Sequence, residues 1–254
     1  MDDIIERSVD AVYVGFCLTA DTQVYSRRER DMLKGYIPMS GRQALAKGPA
    51  FNYQTTMSWD TVAHIKDKYS IPLIVKGVMD ASDAARCVEA GVDVVYVSNH
   101  GGRQLDHTKA CIDALPDVVE AVDGRAPVVV DGGFLRGADV VKALWLGASA
   151  VGMGRFEGFA MAAGGPSALI NALKILEHEV KVTMALLGVQ TLEGLTIDLV
   201  ERSEMMAPAQ SVRLSVLPVG FLSNVYTILS LSWVSPRMSS CRHVMTLGCM
   251  SRQV

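Results

Sequence analysis

The chain has 254 residues, of which 50% are hydrophobic and 20% are charged, and its formal net charge is −3. These values exclude a disordered chain, a collagen-like chain and a small scaffold held by disulfides, and they allow a sizeable core. The slight excess of acidic residues argues against nucleic acid as the main partner, because such binding normally requires a basic face.

The cysteines and the first residues indicate the compartment. Five cysteines are present, none forms a CxxC pair, and their odd number favours unpaired thiols in a reducing environment. The chain starts Met-Asp-Asp-Ile-Ile-Glu, which is acidic where a signal peptide would be basic and then apolar. We therefore expect a cytoplasmic protein.

The composition changes near residue 209. No Asp, Glu or Lys occurs between Ala209 and Val254, and the stretch 214–236 has no charged residue. We therefore divide the chain into a domain over residues 1–208 and a divergent tail over residues 209–254. The tail is expected to be disordered or loosely packed, or to be a sequence that is not native to the fold. A membrane-spanning segment over residues 214–234 is an alternative on length, although a proline, a glycine and several serines interrupt it.

Short apolar runs alternate with helical patterns along residues 1–208. Five runs are apolar nearly throughout, which is typical of strands buried on both faces of a parallel sheet. These runs are Ala11–Leu18, Ile71–Val75, Val92–Val97, Pro127–Val130 and Ala148–Met153. Helices are predicted after a Ser58 cap, over Ala84–Ala90 with Asp80 or Ser82 as cap, and over Asp113–Val122, Ala138–Leu146 and Pro166–Leu187. The alternation predicts an α/β fold, and both an open doubly wound sheet and a (β/α)8 barrel are compatible with it.

The densest polar cluster follows the third apolar run. It reads Ser-Asn-His-Gly-Gly-Arg-Gln over residues 98–104 and places His100 three residues before Arg103. An imidazole accepts a proton near neutral pH, and a guanidinium binds a carboxylate through two hydrogen bonds. The pair therefore favours a site for a small acid that loses a proton.

Other polar residues follow the remaining runs. Lys76 comes after a buried run, where it either reaches solvent at the rim or offsets a developing negative charge. Glycines follow the fourth and fifth runs, with Arg155 beside the second set, which favours a phosphate site built from the last two strand-to-helix loops. Asp21 and Arg28 follow the first run and suit a histidine partner and a carboxylate ligand, but a solvated loop explains them equally well.

At these positions the chain resembles the FMN-dependent α-hydroxy-acid oxidising family, which includes glycolate oxidase, flavocytochrome-type L-lactate dehydrogenase and mandelate dehydrogenase. The Ser98–Gln104 string is the family's active-site signature and is highly specific. The other matching strings are Leu18–Thr22, Arg27–Asp31, Val75–Gly77, Asp131–Gly133 with Arg136–Gly137, and Gly154–Arg155. The resemblance extends from about Asp2 to Leu195.

The resemblance implies a role for each matched residue. It makes His100 the catalytic base, Asp21 the carboxylate that stabilises the imidazolium, and Lys76 the cation beside the flavin ring. It makes Arg28 and Arg103 the ligands of the substrate carboxylate. The implied cofactor contacts are Thr19, Lys76, Ser98, Asp131, Gly132, Gly133, Arg136, Gly154 and Arg155. This chain has Leu135 where the family commonly has an arginine that contacts the phosphate. The adjacent Arg136 is therefore the residue that we expect to make this contact.

The implied fold is the family's (β/α)8 barrel, of which the matched part supplies the last five strand–helix units. We therefore expect a barrel that is shortened at its amino-terminal side and that oxidises a small L-2-hydroxy acid to the 2-oxo acid with FMN. The electron acceptor is oxygen, a quinone or a cytochrome, and a homo-oligomer is compatible with the family. We expect no metal, nucleic-acid or membrane partner. Two alternatives stay open, namely a catalytically impaired fragment and another phosphate-binding barrel enzyme, such as an isomerase or a dehydrogenase of nucleotides.

Overall fold

A computed structural model describes residues 1–24, 26, 28–37, 56–105 and 107–195. Within them, five strands form one parallel sheet in the order β1-β2-β3-β4-β5. Their bounds are β1 Phe16–Thr19, β2 Leu73–Val78, β3 Val94–Val97, β4 Val128–Asp131 and β5 Ala150–Gly152. The predicted α/β parallel sheet is confirmed. A doubly wound sheet reverses its strand order at a switch point, whereas this order is sequential throughout, as in a barrel.

Seven α-helices connect and flank the strands within the described residues. Their bounds are α1 Asp2–Asp10, α2 Glu29–Leu33, α3 Trp59–Lys68, α4 Ala81–Glu89, α5 Cys111–Val122, α6 Gly137–Trp145 and α7 Gly154–Leu186. Two predicted caps are confirmed. Ser58 precedes α3 and forms a capping box with Thr61, and the Asp80 side chain accepts the Ser82 N–H at the start of α4. Short 3₁₀ turns occupy Ala20–Thr22 and Leu192–Gly194.

The core lies between the sheet and its helices. Val95 and Val97 of β3 and Val130 of β4 are fully buried, and they belong to one cluster with Ile65 of α3 and Leu115 of α5. Strands that are buried on both faces need apolar side chains at consecutive positions, which explains the unbroken apolar runs. The core therefore fixes the five strands side by side, with their carboxyl ends at one edge.

The sequence-based prediction places the start of the first strand earlier than the structure does. Residues 11–15 do not pair with the sheet, and β1 starts at Phe16. The amide groups of Ala11, Val12 and Tyr13 donate to carbonyl oxygens of the last turn of α1, and Val12 has a φ of 58°. Because these donors complete the helix end, they are unavailable for a sheet ladder.

Helix α7 contains a break, and its second segment confirms the helix predicted over Pro166–Leu187, whereas its first segment was not predicted. Gly164 and Gly165 have non-helical backbone angles, so the helix consists of segments 154–163 and 166–186. Pro166 begins the second segment, where its missing N–H does no harm. By length and composition α7 is the one helix of the described part that could cross a membrane, which is weak evidence on its own. The predicted tail over 209–254, with its alternative membrane segment, lies outside the described residues.

Helices α6 and α7 pack so closely at Gly137 that a side chain cannot be accommodated there. A Cβ on Gly137 would overlap the backbone nitrogen of Val180 and lie 2.5 Å from Cβ of Glu179. We expect Gly137→Ala to lower the free energy of unfolding by about 2 kcal/mol, since backbone atoms of α7 must move. Gly158→Ala is the control, because its Cβ meets nothing within 4 Å and alanine favours a helix. Chemical denaturation measures both, and equal stabilities would contradict this packing.

Candidate active site

The carboxyl ends of the five strands surround a cavity of about 730 Å³. Thr19 ends β1, Asp131 ends β4 and Gly152 ends β5, while Ser98 directly follows β3. The predicted site residues that line this cavity are Thr19, Lys76, His100, Arg103, Asp131, Gly132, Gly133, Gly154 and Arg155. The predicted residues outside its lining are Asp21, Arg28, Ser98 and Arg136. The fold therefore brings together polar residues that lie far apart in sequence.

Lys76 lies within β2, not after it as the sequence suggested, and its ammonium group is held at the cavity floor. Its Nζ donates to Oγ of Ser98 at 2.7 Å and lies 3.0 Å from Oδ2 of Asp131. The same nitrogen lies 5.0 Å from the ring centre of Tyr96, which is a cation–π distance. The side chains of Lys76 and Asp131 are 17% and 18% exposed. A single orientation of the cation is thus fixed by three neighbouring strands.

Asp131 has one carboxylate oxygen without a hydrogen-bond partner. Its Oδ1 is buried and meets no donor in the described part of the chain. Buried polar atoms are normally paired, so this oxygen is suited to a hydrogen-bond donor from a ligand. Gly132 and Gly133 follow with φ angles of 98° and 92°, which favour glycine. A Cβ on Gly133 would meet nothing within 4 Å, so the backbone there is open to a bound molecule.

His100 pairs with Asp21, which the 3₁₀ turn after β1 carries. The distance from Nδ1 of His100 to Oδ1 of Asp21 is 3.3 Å, and the two side chains are 22% and 12% exposed. The backbone N–H of His100 donates to Oγ of the buried Ser98. The φ of His100 is 57°. Asp21 lines a neighbouring cavity of about 440 Å³. It can therefore affect a ligand in the larger cavity through its contact with the imidazole. Because Nδ1 faces the carboxylate, Nε2 is the nitrogen that can exchange a proton with a ligand.

Gly77 allows the close approach of Asp21 to β2. A Cβ at this position would lie 2.7 Å from Cβ and 2.8 Å from the backbone nitrogen of Asp21. The φ of Gly77 is 107°, and the sheet register shifts between Lys76 and Val78. A glycine after Lys76 is therefore needed to place the carboxylate beside His100.

The loop after β3 is joined to the segment after β1 by arginine and glutamine side chains. Arg28 donates through Nε to the carbonyl oxygen of Arg103 at 3.2 Å and through a terminal nitrogen to Oε1 of Gln104 at 2.7 Å. Nε2 of Gln104 donates to the carbonyl oxygen of Asp21 at 2.6 Å, and Ser26 Oγ donates to the Arg103 carbonyl. Arg28 thus braces the loop, and it does not line the cavity.

Arg103 lies near the guanidinium groups of Arg28 and Arg155 and also near the carboxylates of Asp31 and Asp131. Its Nε donates to the backbone carbonyl oxygen of His100 at 3.1 Å, which ties the guanidinium to the loop that carries the imidazole. Burial lowers the pKa of Arg103, and the nearby charges of Arg28 and Arg155 lower it further. Three guanidinium groups that affect one another electrostatically favour an anionic ligand, such as a carboxylate.

Arg155 and Arg136, both predicted cofactor contacts, are placed differently. The guanidinium of Arg155 lies against Gly101, where a Cβ would be 3.0 Å from a terminal nitrogen. Nε of Arg136 instead donates to Oε1 of Glu179 at 2.8 Å, on α7. The other Glu179 oxygen accepts the Gly137 N–H at 2.7 Å, so the carboxylate holds the start of α6. The structure therefore directs Arg136 away from the cavity, because the close α6–α7 contact places Glu179 beside it.

Sequence and fold comparisons identify the family. A model of the FMN-dependent dehydrogenase family matches residues 1–202. The chain belongs to this family. It is 36% identical over 211 residues to an L-lactate oxidase from Nostoc sp., and 38% identical over 214 residues to glycolate oxidase 1 from Oryza sativa subsp. indica. A crystal structure of mandelate oxidase with 3,3-difluoro-2-hydroxy-3-phenylpropionic acid superposes with a TM-score of 0.66 at 36% identity.

These matches cover most of this chain and a smaller part of each family member. The L-lactate oxidase and glycolate oxidase alignments include 76% and 77% of this chain, but each covers 58% of the relative. The mandelate oxidase superposition covers 75% of this chain and 56% of the other chain. In the described part of the chain the sheet does not close into a barrel, since β1 pairs only with β2 and β5 only with β4.

The residues around Asp131 fit a flavin of the kind that the family uses. FMN carries a polyhydroxyl chain, and a hydroxyl donor suits the unpartnered Oδ1 of Asp131. The open backbone at Gly133 leaves room for such a chain, and Lys76 supplies a cation beside it. The strand ends thus provide groups for the polar parts of the cofactor.

Four residues of this site were not singled out from the sequence. Tyr96 lines the cavity beneath the Lys76 ammonium, and Gln104 joins Asp21 to Arg28. Cys111 is buried under the loop, where Sγ accepts the Asn99 N–H at 3.2 Å, and burial raises the pKa of its thiol to about 11. Glu157 lines the cavity from the first turn of α7. Only Gln104 carried a sequence signal, because it belongs to the signature string.

Proposed function

We propose that this chain carries the site at which an FMN-dependent enzyme of this family oxidises a small L-2-hydroxy acid to the 2-oxo acid. The observation that carries this proposal is that His100, which pairs with Asp21, lines one cavity together with Arg103 and the Lys76–Asp131 pair. The relatives whose names are L-lactate oxidase and glycolate oxidase support a short hydroxy acid as substrate.

Arg103 is the residue that binds the substrate carboxylate. Its guanidinium is tied to the backbone of His100 and both residues line the cavity, so we expect a carboxylate bound by Arg103 to bring its α-carbon and hydroxyl toward the imidazole. Arg28 is committed to Gln104 and to the Arg103 carbonyl oxygen. It therefore acts as a positioning residue that holds the loop and adds positive charge.

His100 is the base. Nδ1 faces Asp21, so Nε2 accepts the proton, either from the α-carbon or from the hydroxyl of the substrate. The carboxylate of Asp21 stabilises the imidazolium that results, in the same way that a buried aspartate stabilises the histidine of a catalytic triad. The choice between the two proton sources does not alter this assignment.

Bound FMN supplies the acceptor for the two electrons that leave the substrate as its alcohol becomes a carbonyl. Lys76 keeps a positive charge at the strand edge, next to Asp131, where it offsets negative charge that develops in the cavity. Oxygen is the final acceptor that the oxidase names of the relatives favour, with a quinone or a cytochrome as alternatives. A cytoplasmic location and a homo-oligomeric assembly stay predictions.

The test is an absorption spectrum of the full chain after incubation with excess FMN and removal of unbound flavin by gel filtration. We expect retained visible flavin bands that are bleached under anaerobic conditions by glycolate, L-lactate or mandelate. Phosphorylated sugars and nucleotides serve as controls and should leave the bands unchanged. Bleaching by these controls alone would favour another phosphate-binding barrel enzyme.

The second candidate is that this chain carries the active-site signature but does not catalyse the reaction. The open sheet of the described residues favours it, because a cavity with one uncovered side binds a cofactor less tightly. The same spectrum distinguishes the two. Absence of retained flavin would contradict the enzymatic proposal and favour association with other chains.

A further inference from the structure

Glu157 is a carboxylate on the cavity that the proposed reaction does not use. It lies in the first turn of α7 and lines the same 730 Å³ space as Lys76 and Asp131. Burial raises the pKa of its carboxyl. Within the described residues no lysine, arginine or histidine forms an ion pair with it.

The charges on this side of the cavity are nearly balanced. Arg155, two residues earlier in the same turn, directs its guanidinium to Gly101 of the neighbouring loop. Arg136 pairs with Glu179, and the cavity is lined at the adjacent position by the apolar Leu135. Among the described residues that follow β4 and β5, the cavity lining therefore contains one guanidinium, of Arg155, and one carboxylate, of Glu157.

A carboxylate in this place discriminates between a phosphate and a hydroxyl. A phosphate monoester carries about −1.5 to −2 charges at neutral pH and is repelled by a carboxylate, whereas a neutral hydroxyl donates a hydrogen bond to it. The amino-terminal end of a helix attracts anions, but Glu157 already provides a negative charge in the first turn of α7. The carboxylate of Glu157 therefore cancels much of the electrostatic stabilisation that this helix end would give to a bound phosphate.

We propose that Glu157 sets the flavin selectivity of this cavity by disfavouring the phosphorylated form, so that riboflavin binds nearly as tightly as FMN. This inference rests on the proposed function, because it assumes that the cavity holds a flavin. In the unaltered chain the two dissociation constants are expected to lie within about tenfold of each other. Removing the carboxylate charge should then lower the dissociation constant of FMN by about tenfold and leave that of riboflavin unchanged.

The experiment measures the dissociation constants of FMN and riboflavin with the full chain, from the quenching of flavin fluorescence. Glu157→Gln removes the charge with little change of shape, and Glu157→Lys reverses it. Glu89→Gln is the matched control, because it makes the same charge change on the exposed side of α4. We expect FMN affinity to rise stepwise from Glu to Gln to Lys, with riboflavin affinity constant within about twofold and the control without effect.

Three results would overturn the inference. The first is an unaltered chain that binds FMN more than about 100-fold tighter than riboflavin, and the second is an unchanged FMN affinity in Glu157→Gln. The third is an equal gain for both flavins, which would indicate a packing effect. If the unaltered chain binds neither flavin, the proposed function fails as well, so the two failures are distinguishable.

Discussion

Replacement of His100 by alanine is expected to leave FMN binding largely intact and to slow reduction of the bound flavin by a hydroxy acid at least about 10²-fold. His100 carries the only imidazole of the described cavity lining, and its ring pairs with the carboxylate of Asp21. Its loss removes the proton acceptor but none of the glycines, and it leaves Lys76 and Asp131 in place. Anaerobic stopped-flow absorbance measures the rate directly.

His178→Ala is the control for this variant, because His178 is exposed on α7 and does not line the cavity. It should reduce its flavin at the rate of the unaltered chain. Asp21→Asn is expected to slow the reaction in the same direction as His100→Ala, since a neutral amide stabilises an imidazolium less. A His100→Ala protein that retains the full rate would exclude His100 as the base, and one that loses flavin would assign the residue to cofactor binding.

Replacement of Lys76 by methionine is expected to lower the free energy of unfolding by about 3 kcal/mol. The ammonium is the ion-pair partner of Asp131 at 3.0 Å, and both side chains are more than four-fifths buried. Methionine keeps the length of the side chain but leaves a buried carboxylate whose other oxygen has no hydrogen-bond partner among the described residues. Urea denaturation, followed by circular dichroism, measures the loss.

The double variant Lys76→Met, Asp131→Asn separates the charge from the packing. Removing the carboxylate charge should recover part of the lost stability, because no unpaired ion then stays buried. Lys181→Met is the control, since its pair with Glu177 is exposed and should contribute less than about 1 kcal/mol. A loss in Lys76→Met no larger than in this control would mean that the pair is not effectively buried.

Much of this fold was predictable because its signals are local. Val94–Val97 and Val128–Asp131 contain almost only β-branched residues, which both fill a buried parallel strand and restrict the backbone to it. Asp80 caps α4 through an interaction two residues away, so its role depends on adjacent sequence alone. The false start of β1 has the opposite cause. Residues 11–15 are apolar enough for a strand, but the end of α1 uses the amide groups of Ala11, Val12 and Tyr13.

The candidate site was predictable in its residue types and less so in its contacts. The signature over residues 98–104 identified His100 and Arg103, and the structure places both at the cavity. It could not indicate that Arg136 would turn to Glu179, because those residues are separated by a whole strand–helix unit. The interaction of Arg28 with Gln104 likewise depends on how two loops meet.

The sequence by itself determined the alternation of strands and helices over most of the domain, which residues can exchange a proton or bind an anion, and the family to which the chain belongs. These properties depend on side-chain chemistry and on neighbours within a few positions. Only the tertiary structure decided that Lys76 pairs with Asp131, that Arg28 joins Gln104 and that Glu157 lines the cavity. Such contacts join different strands and loops, so they exist only once the sheet has brought those segments together.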